Sequence, residues 1–259
     1  MNLKDIMCDI ADFIIHTGDF IYRVSRQKKR IHYKGAVDLV TQFDKISQRR
    51  IVNFLKKQFP DFGILSEENF HHQRDSQIRW ILDPLDGTTN FAHNLPIWSI
   101  SLALEVEMEI VLGVVYDPTR RELFSAIKSR GAYLNGKRIR VSRTKDLKKS
   151  LLVTGFPYDI RTSKDNNIKN FAKFCLSSQA VRRLGSAALD LCYTACGRFD
   201  GYWELKLSPW DQAAGYLILK EAGGKITDFK GNPFSIYWRE VLGTNGLIHN
   251  QMIEILNKN

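Results

Sequence analysis

Ile6, Ile10, Phe13, Ile14, Phe20, Ile21 and Val24 recur at close to helical spacing, and they predict a helix over residues 1 to about 26. A second helix is expected from about Phe43 to Phe59, where Pro60 ends it. Short apolar runs predict strands at 62–65 and 78–83. Four more strands follow in quick succession, from Ile97 to Glu107, Ile110 to Tyr116, Glu122 to Ile127 and Gly131 to Leu134. Asp117-Pro118 reads as a turn between two of them, and Asn135-Gly136 is a strong hairpin signal. Farther on, strands at 151–155 and 179–183 alternate with helices at about 163–177, 186–196, 210–222 and 247–257. Consecutive hairpins followed by βα units indicate a layered α/β or α+β architecture. There is no internal repeat and no low-complexity tract.

Composition narrows the class without naming a function. At 259 residues the chain can be one domain or two, and 44% hydrophobic with 25% charged residues is ordinary for a globular protein. No apolar run approaches the roughly 20 residues that span a membrane, so no membrane partner is expected. Met1-Asn2-Leu3-Lys4-Asp5 leads straight into the helical pattern, and no signal peptide is expected. Cys8, Cys175, Cys192 and Cys196 lack metal-knuckle spacing; Cys192 and Cys196 share a helix face, and the cysteines read as reduced core thiols of a cytoplasmic protein.

The net charge of +10 favours anionic partners: phosphorylated metabolites, nucleic acid or an acidic membrane surface. The basic runs Arg26-Gln27-Lys28-Lys29-Arg30 and Arg138 through Lys149 read as solvated faces, since neither carries the interleaved aromatics of a nucleic-acid reader. Arg182 and Arg183 stand just before Gly185-Ser186, which suits either a substrate region or a subunit interface.

The chemistry concentrates in Asp83-Pro84-Leu85-Asp86-Gly87-Thr88-Thr89-Asn90, entered from Trp80-Ile81-Leu82. Two carboxylates three residues apart, at the end of a buried strand, suit a hard cation that prefers oxygen ligands. The small hydroxylated residues after them suit a tight turn and a helix start, whose free N–H groups attract an anion. Metal carboxylates beside an anion-binding turn are what metal-assisted phosphate hydrolysis needs. Each part has an ordinary reading too: the octapeptide as an Asx-type turn, Glu67-Glu68 as a solvated acidic loop, and Asp211 after Pro209 as a helix cap. His71 and His72 follow in the polar stretch after Glu68 and read as surface loop.

The combination resembles the inositol monophosphatase family of Mg²⁺-dependent, Li⁺-sensitive phosphatases. Its first signature resembles Trp80 through Phe91, and its second resembles Trp210-Asp211-Gln212-Ala213-Ala214-Gly215, continuing through Glu221-Ala222-Gly223-Gly224. Val37-Asp38-Leu39-Val40-Thr41 with Asp44, Ser66-Glu67-Glu68 and Gly185-Ser186-Ala187-Ala188 fall in the expected order, and the likeness runs from about Lys34 to about Gly246. It implies a five-layer αβαβα sandwich, a single catalytic domain over 1–259, with a metal-site half at about 1–145 and a substrate-pocket half at about 146–259. It also implies a homodimer.

The same resemblance implies site roles. Glu67, Asp83 and the Leu85 carbonyl would hold one Mg²⁺ and Asp83, Asp86 and Asp211 a second, with a third, weaker ion near Glu67. An activated water would be the nucleophile, held by Thr88 with Asp44 as proton acceptor and with Glu67 among the catalytic groups. Gly87 and Thr88 N–H groups would carry the phosphate. Gly185, Ser186, Ala187, Glu204 and Asp211 would contact a sugar-like ring, most simply that of myo-inositol 1-phosphate. Ser66 stands where many members carry Gly, and Glu204-Leu205-Lys206-Leu207-Ser208-Pro209 looks like the bacterial branch. Other phosphomonoesters therefore stay open: fructose 1,6-bisphosphate, histidinol phosphate or a nucleotide 3′-phosphate. So does an RNA- or transcription-associated binding role on the same fold.

Overall fold

The computed structural model describes residues 2–25, 31–33, 39–68, 70–73 and 76–258, with only the backbone for 31–33 and 39–40. The basic run 26–30, the segment Val37-Asp38 and Lys34 lie outside the described residues. The chain opens with α1 (Leu3–Val24), the strand pair β1 (Ile31–Tyr33) and β2 (Leu39–Thr41), and α2 (Gln42–Gln58). Then come β3 (Gly63–Ser66), β4 (Phe70–His72), β5 (Ile78–Asp86), α3 (Thr88–Ala92), β6 (Ser99–Val106) and β7 (Glu109–Asp117). The hairpins continue through β8 (Glu122–Ile127), β9 (Ala132–Leu134) and β10 (Lys137–Arg138). The remainder is β11 (Leu151–Thr154), α4 (Ile168–Ser177), β12 (Ala180–Arg182), α5 (Ala187–Ala195), β13 (Gly201–Leu205), α6 (Pro209–Glu221), β14 (Lys225–Thr227), β15 (Glu240–Thr244) and α7 (His249–Asn257).

Burial explains why these elements stack. Ile6, Ile10 and Ile14 of α1 and Ile51, Val52 and Leu55 of α2 form one core with Trp80, Leu82, Leu102, Leu104 and Val114 of the larger sheet. Each such side chain contributes about 1.5–3 kcal/mol, against about 1 kcal/mol for the Asn2 cap of α1, so tertiary burial and not capping holds the helix. Ile81, Ala103 and Val115 point through the other face of that sheet, as the strand period of two requires, and meet α5 and α6. Those helices in turn cover Val153, Tyr202 and Val241 of the second sheet. On its far side Leu152, Trp203 and Leu242 pack against Phe174 of α4 and Met252 and Leu256 of α7. The result is helix, sheet, helix, sheet, helix: five layers.

The larger sheet has the order β10-β9-β8-β7-β6-β5-β3-β4 and the smaller β12-β11-β13-β15-β14. Within the larger one β5 runs parallel to β3 and antiparallel to β6. Its pairing with β6 breaks register between Asp83 and Asp86, and that irregularity bends the strand end on which the acidic residues sit.

Several expectations are corrected. Phe70–His72 is an edge strand paired with β3, not a loop. Residues 163–167 precede α4 and do not belong to it. Cys192 is a buried free thiol, but Cys8 and Cys175 are exposed and are not core residues. Among the described residues no helix is long and apolar enough to cross a membrane.

Candidate active site

Pro84 has no N–H to give to a sheet, and the Leu85 N–H turns inward to Asp83 Oδ1 at 2.9 Å. The bend therefore places Asp83 and Asp86 on one cavity while keeping both carboxylates almost wholly buried. Asp86 Oδ2 accepts from the Ser186 hydroxyl, from Ala188 N at 3.0 Å and from Ser99 Oγ at 3.5 Å. The start of α5 thus fixes the acid from 102 residues away. Gly87 follows at φ +91°, and a Cβ there would stand 2.9 Å from the Ile97 carbonyl oxygen, so no other residue fits the turn without strain.

Asp44 is not a surface charge. It belongs to the first turn of α2, where its Oδ2 accepts from Thr41 N at 2.8 Å and from the Thr41 hydroxyl. Its other oxygen lies 3.0 Å from Thr88 Oγ1, which is also 3.0 Å from the Leu85 carbonyl oxygen. One hydroxyl proton thus has two acceptors. Burial raises the Asp44 carboxyl to about 6, against the lowering effect of its Thr41 bonds.

Glu67 follows the end of β3, with its backbone N–H on the Leu82 carbonyl at 3.2 Å. Asp211 does cap a helix, as its ordinary reading holds: it is third in α6, and its Oδ2 accepts from Ser208 N at 2.7 Å. It is also a wall of the acidic cavity, so the two readings of Asp211 are compatible. That cavity, about 330 Å³, is lined by Glu67, Asp83, Leu85, Asp86, Gly87, Thr88, Tyr158, Ser208, Trp210 and Asp211. Among the described residues, four acids and no basic side chain line it.

The consequence is electrostatic. Asp83 is pushed well above the usual carboxylate range, by burial first and then by the charges of Glu67, Asp86 and Asp211. Asp211 is raised likewise by burial and by Glu67. Burial lifts Asp86 to about 6 although the Ser186 and Ala188 bonds pull the other way. Carboxylates gathered without a cation repel one another, and a divalent cation is what such a donor set accommodates. Among the described residues no three His, Cys, Asp or Glu side chains form a compact metal-holding group; the acids ring the cavity.

A second chamber of about 100 Å³ adjoins it, bounded by Gly155, Phe156, Pro157, Arg183, Gly185, Ser186, Ala187 and Glu204. Gly185, Ser186, Ala187 and Glu204 are thus brought together as expected, beside Gly87 and Thr88. Glu204 is buried, accepts from Tyr202 Oη at 2.7 Å, and is lifted by burial to about 7. A Cβ on Gly155 would come within 2.0 Å of Glu204 Oε1, so only glycine leaves room for the carboxylate.

Arg182 and Arg183, adjacent in sequence, part company. Arg183 lines this chamber, whereas Arg182 lines an open groove of about 610 Å³ with Ile97, Leu184, Arg198 and Phe199. The sequence reasoning missed Tyr158, Gly155 and Asp190. Asp190 is buried with neither carboxyl oxygen hydrogen-bonded, and burial first and then the charge of Glu204 push its carboxyl well up. Its only signal in sequence is an acid in the otherwise apolar run Ala187–Ala195.

Comparison with known proteins is consistent with this geometry. Residues 8–259 match the model of the Inositol monophosphatase family. An inositol-1-monophosphatase of Synechocystis sp. is 44% identical over 248 residues, 95% of this chain and 86% of the relative. The Nus factor SuhB of Pasteurella multocida is 45% identical over 202 residues, 76% of this chain and 74% of the relative. Among solved structures, the extragenic suppressor protein suhB from Bartonella henselae superposes with a TM-score of 0.93 at 36% identity, covering 98% of this chain and 99% of that one.

Proposed function

Since the chain belongs to the inositol monophosphatase family and is a phosphoric monoester hydrolase, we propose that it converts myo-inositol 1-phosphate to myo-inositol and phosphate with Mg²⁺. The observation that carries the reading is the cavity walled by four acids, with no basic side chain among the described residues, adjoining the Glu204 chamber. Glu67, Asp83, the Leu85 carbonyl, Asp86 and Asp211 are the residues that would hold two or three Mg²⁺. Mg²⁺ held there supplies charge neutralisation and lowers the pKa of the attacking water. Li⁺ is expected to inhibit.

The chain's own residues do the rest. Thr88 gives its hydroxyl proton to Asp44 Oδ1 and turns its oxygen lone pairs to the cavity, where they accept a hydrogen bond from the water. That fixes the direction of the water's own lone pair toward phosphorus. Asp44, at about 6, is close enough to neutral pH to take up a proton passed through Thr88. The Gly87 and Thr88 N–H groups, at the start of α3, carry phosphate oxygens. Ring hydroxyls are received by Glu204, with Gly185, Ser186, Ala187 and Asp211 around them.

The whole chain serves as one catalytic unit, because α5 and α6 are shared by both sheets. We place it in the cytoplasm as a homodimer. A second reading, association with RNA or the transcription machinery, is favoured by the +10 charge and by the SuhB names of relatives. Phosphate release in Mg²⁺ over a panel of myo-inositol 1-phosphate, fructose 1,6-bisphosphate, histidinol phosphate and a nucleotide 3′-phosphate tests the assignment. The inositol ester should give the highest kcat/KM; a higher value for any other ester would replace it.

A further inference from the structure

Among the described residues, five line both the acidic cavity and the adjoining chamber: Asp86, Gly87, Thr88, Asp211 and Tyr158. The first four belong to the acid and phosphate machinery already described. Tyr158 does not. The residue is 60% exposed and stands at the junction of the two cavities, where on the phosphatase reading a bound ester would cross from one to the other. An aromatic ring offers a large apolar face at small cost in conformational freedom, and its contacts favour another flat or ring-shaped surface over a flexible chain.

The loop that presents this ring is braced on both sides. Phe156 packs on Phe171 with ring centroids 5.5 Å apart. Ile160 N donates to the Pro157 carbonyl at 3.1 Å, closing a turn around Tyr158 itself. Asp159 accepts from Lys206 Nζ at 2.7 Å, and the same ammonium reaches Ser163 Oγ at 2.8 Å. Lys206 stands two residues beyond Glu204, in the left-handed region at φ +60°. The brace therefore couples the Tyr158 loop to the strand that carries the chamber's buried acceptor. Polar acceptor at the base and aromatic ring at the mouth make a slot with two unlike walls.

We propose that Tyr158 is a specificity-determining residue, closing over the C–H face of a cyclic, hydroxyl-bearing leaving group whose hydroxyls meet Glu204. The proposal rests on the phosphatase reading, and its test separates the two. Steady-state kinetics in Mg²⁺ are measured for wild type, Tyr158→Ala and Tyr158→Phe on myo-inositol 1-phosphate and on the acyclic glycerol 2-phosphate. Tyr158→Ala should raise KM for the cyclic ester by about three- to tenfold, the range for one lost aromatic contact. Its kcat, and its KM for glycerol 2-phosphate, should stay within about twofold of wild type. Tyr158→Phe, which keeps the ring, should restore the cyclic-ester KM. Equal KM changes on both esters, or none on either, overturn the role of Tyr158 alone. Wild type that hydrolyses neither ester overturns the phosphatase reading, and this proposal with it.

Discussion

Replacing Asp86 by Asn should make the metal-free protein more stable and the enzyme nearly inactive. The hydrogen bonds from Ser186, Ala188 and Ser99 to this carboxylate all go to Oδ2, so an Asn oxygen in that place keeps them while the charge facing the cavity is lost. Burial lifts the carboxyl from 3.8 to about 6, and at about 1.4 kcal/mol per pH unit the ionised form costs about 3 kcal/mol at pH 7.5 without metal. Because the folded value lies above the unfolded one, the penalty is absent below pH 3.8, grows as pH rises, and is complete above about 6. At about 2–4 °C per kcal/mol for a chain of this size, Asp86→Asn should melt roughly 6–12 °C higher in chelator at pH 7.5 and level with wild type near pH 4. Saturating Mg²⁺ should shrink or reverse that gap, while kcat falls at least about a hundredfold. Calorimetric melts with chelator and with Mg²⁺, over that pH range, check it. A variant that is less stable in chelator and turns over at the wild-type rate would refute the reasoning, leaving Asp86 as a mere hydrogen-bond anchor.

Three further outcomes are expected. Asp190→Asn replaces a buried carboxyl that has no hydrogen-bond partner and that burial drives toward its protonated form, and it should raise stability to urea at neutral pH by roughly 1–3 kcal/mol; a loss of stability would show that the acid has a use there. His249 lies between Thr227 Oγ1 and Thr244 Oγ1, each at 2.9 Å, and burial lowers it from 6.5 to about 4. Its contribution is complete above pH 6.5 and lost as pH falls toward 4, by roughly 3 kcal/mol, while the raised carboxyls act in the opposite sense over the same window, so the test is a difference: the stability of His249→Gln to urea relative to wild type should rise by that amount as pH falls from 6.5 to 4. Arg182→Ala should shift sedimentation toward monomer without changing kcat; unchanged assembly with a shallower salt dependence of RNA retention would assign Arg182 to nucleic acid instead.

The acidic core was legible because Asp83, Asp86, Gly87 and Thr88 lie within six residues and their chemistry is local. Asp44 was harder, since a first-turn acid looks the same whether it faces solvent or Thr88, and only the fold brings the two within 3.0 Å. The strand carrying Glu204 was overlooked altogether. Every residue of Gly201–Leu205 is buried, so the run shows none of the alternation that betrays a half-exposed strand. Helix α3 is too short, at five residues, to show a period. The layer count follows from which apolar faces meet, such as Ile81 with α5 and α6 but Trp80 with α1 and α2, and no single segment contains that information.

The central claim is that the four acids around one cavity exist to hold a divalent cation for phosphate hydrolysis. Phosphate release from myo-inositol 1-phosphate, measured after exhaustive chelation and again after Mg²⁺ is restored, tests it most directly. Activity should vanish with the metal and return with it, and Li⁺ should suppress the restored rate. Undiminished turnover in chelator would contradict the account.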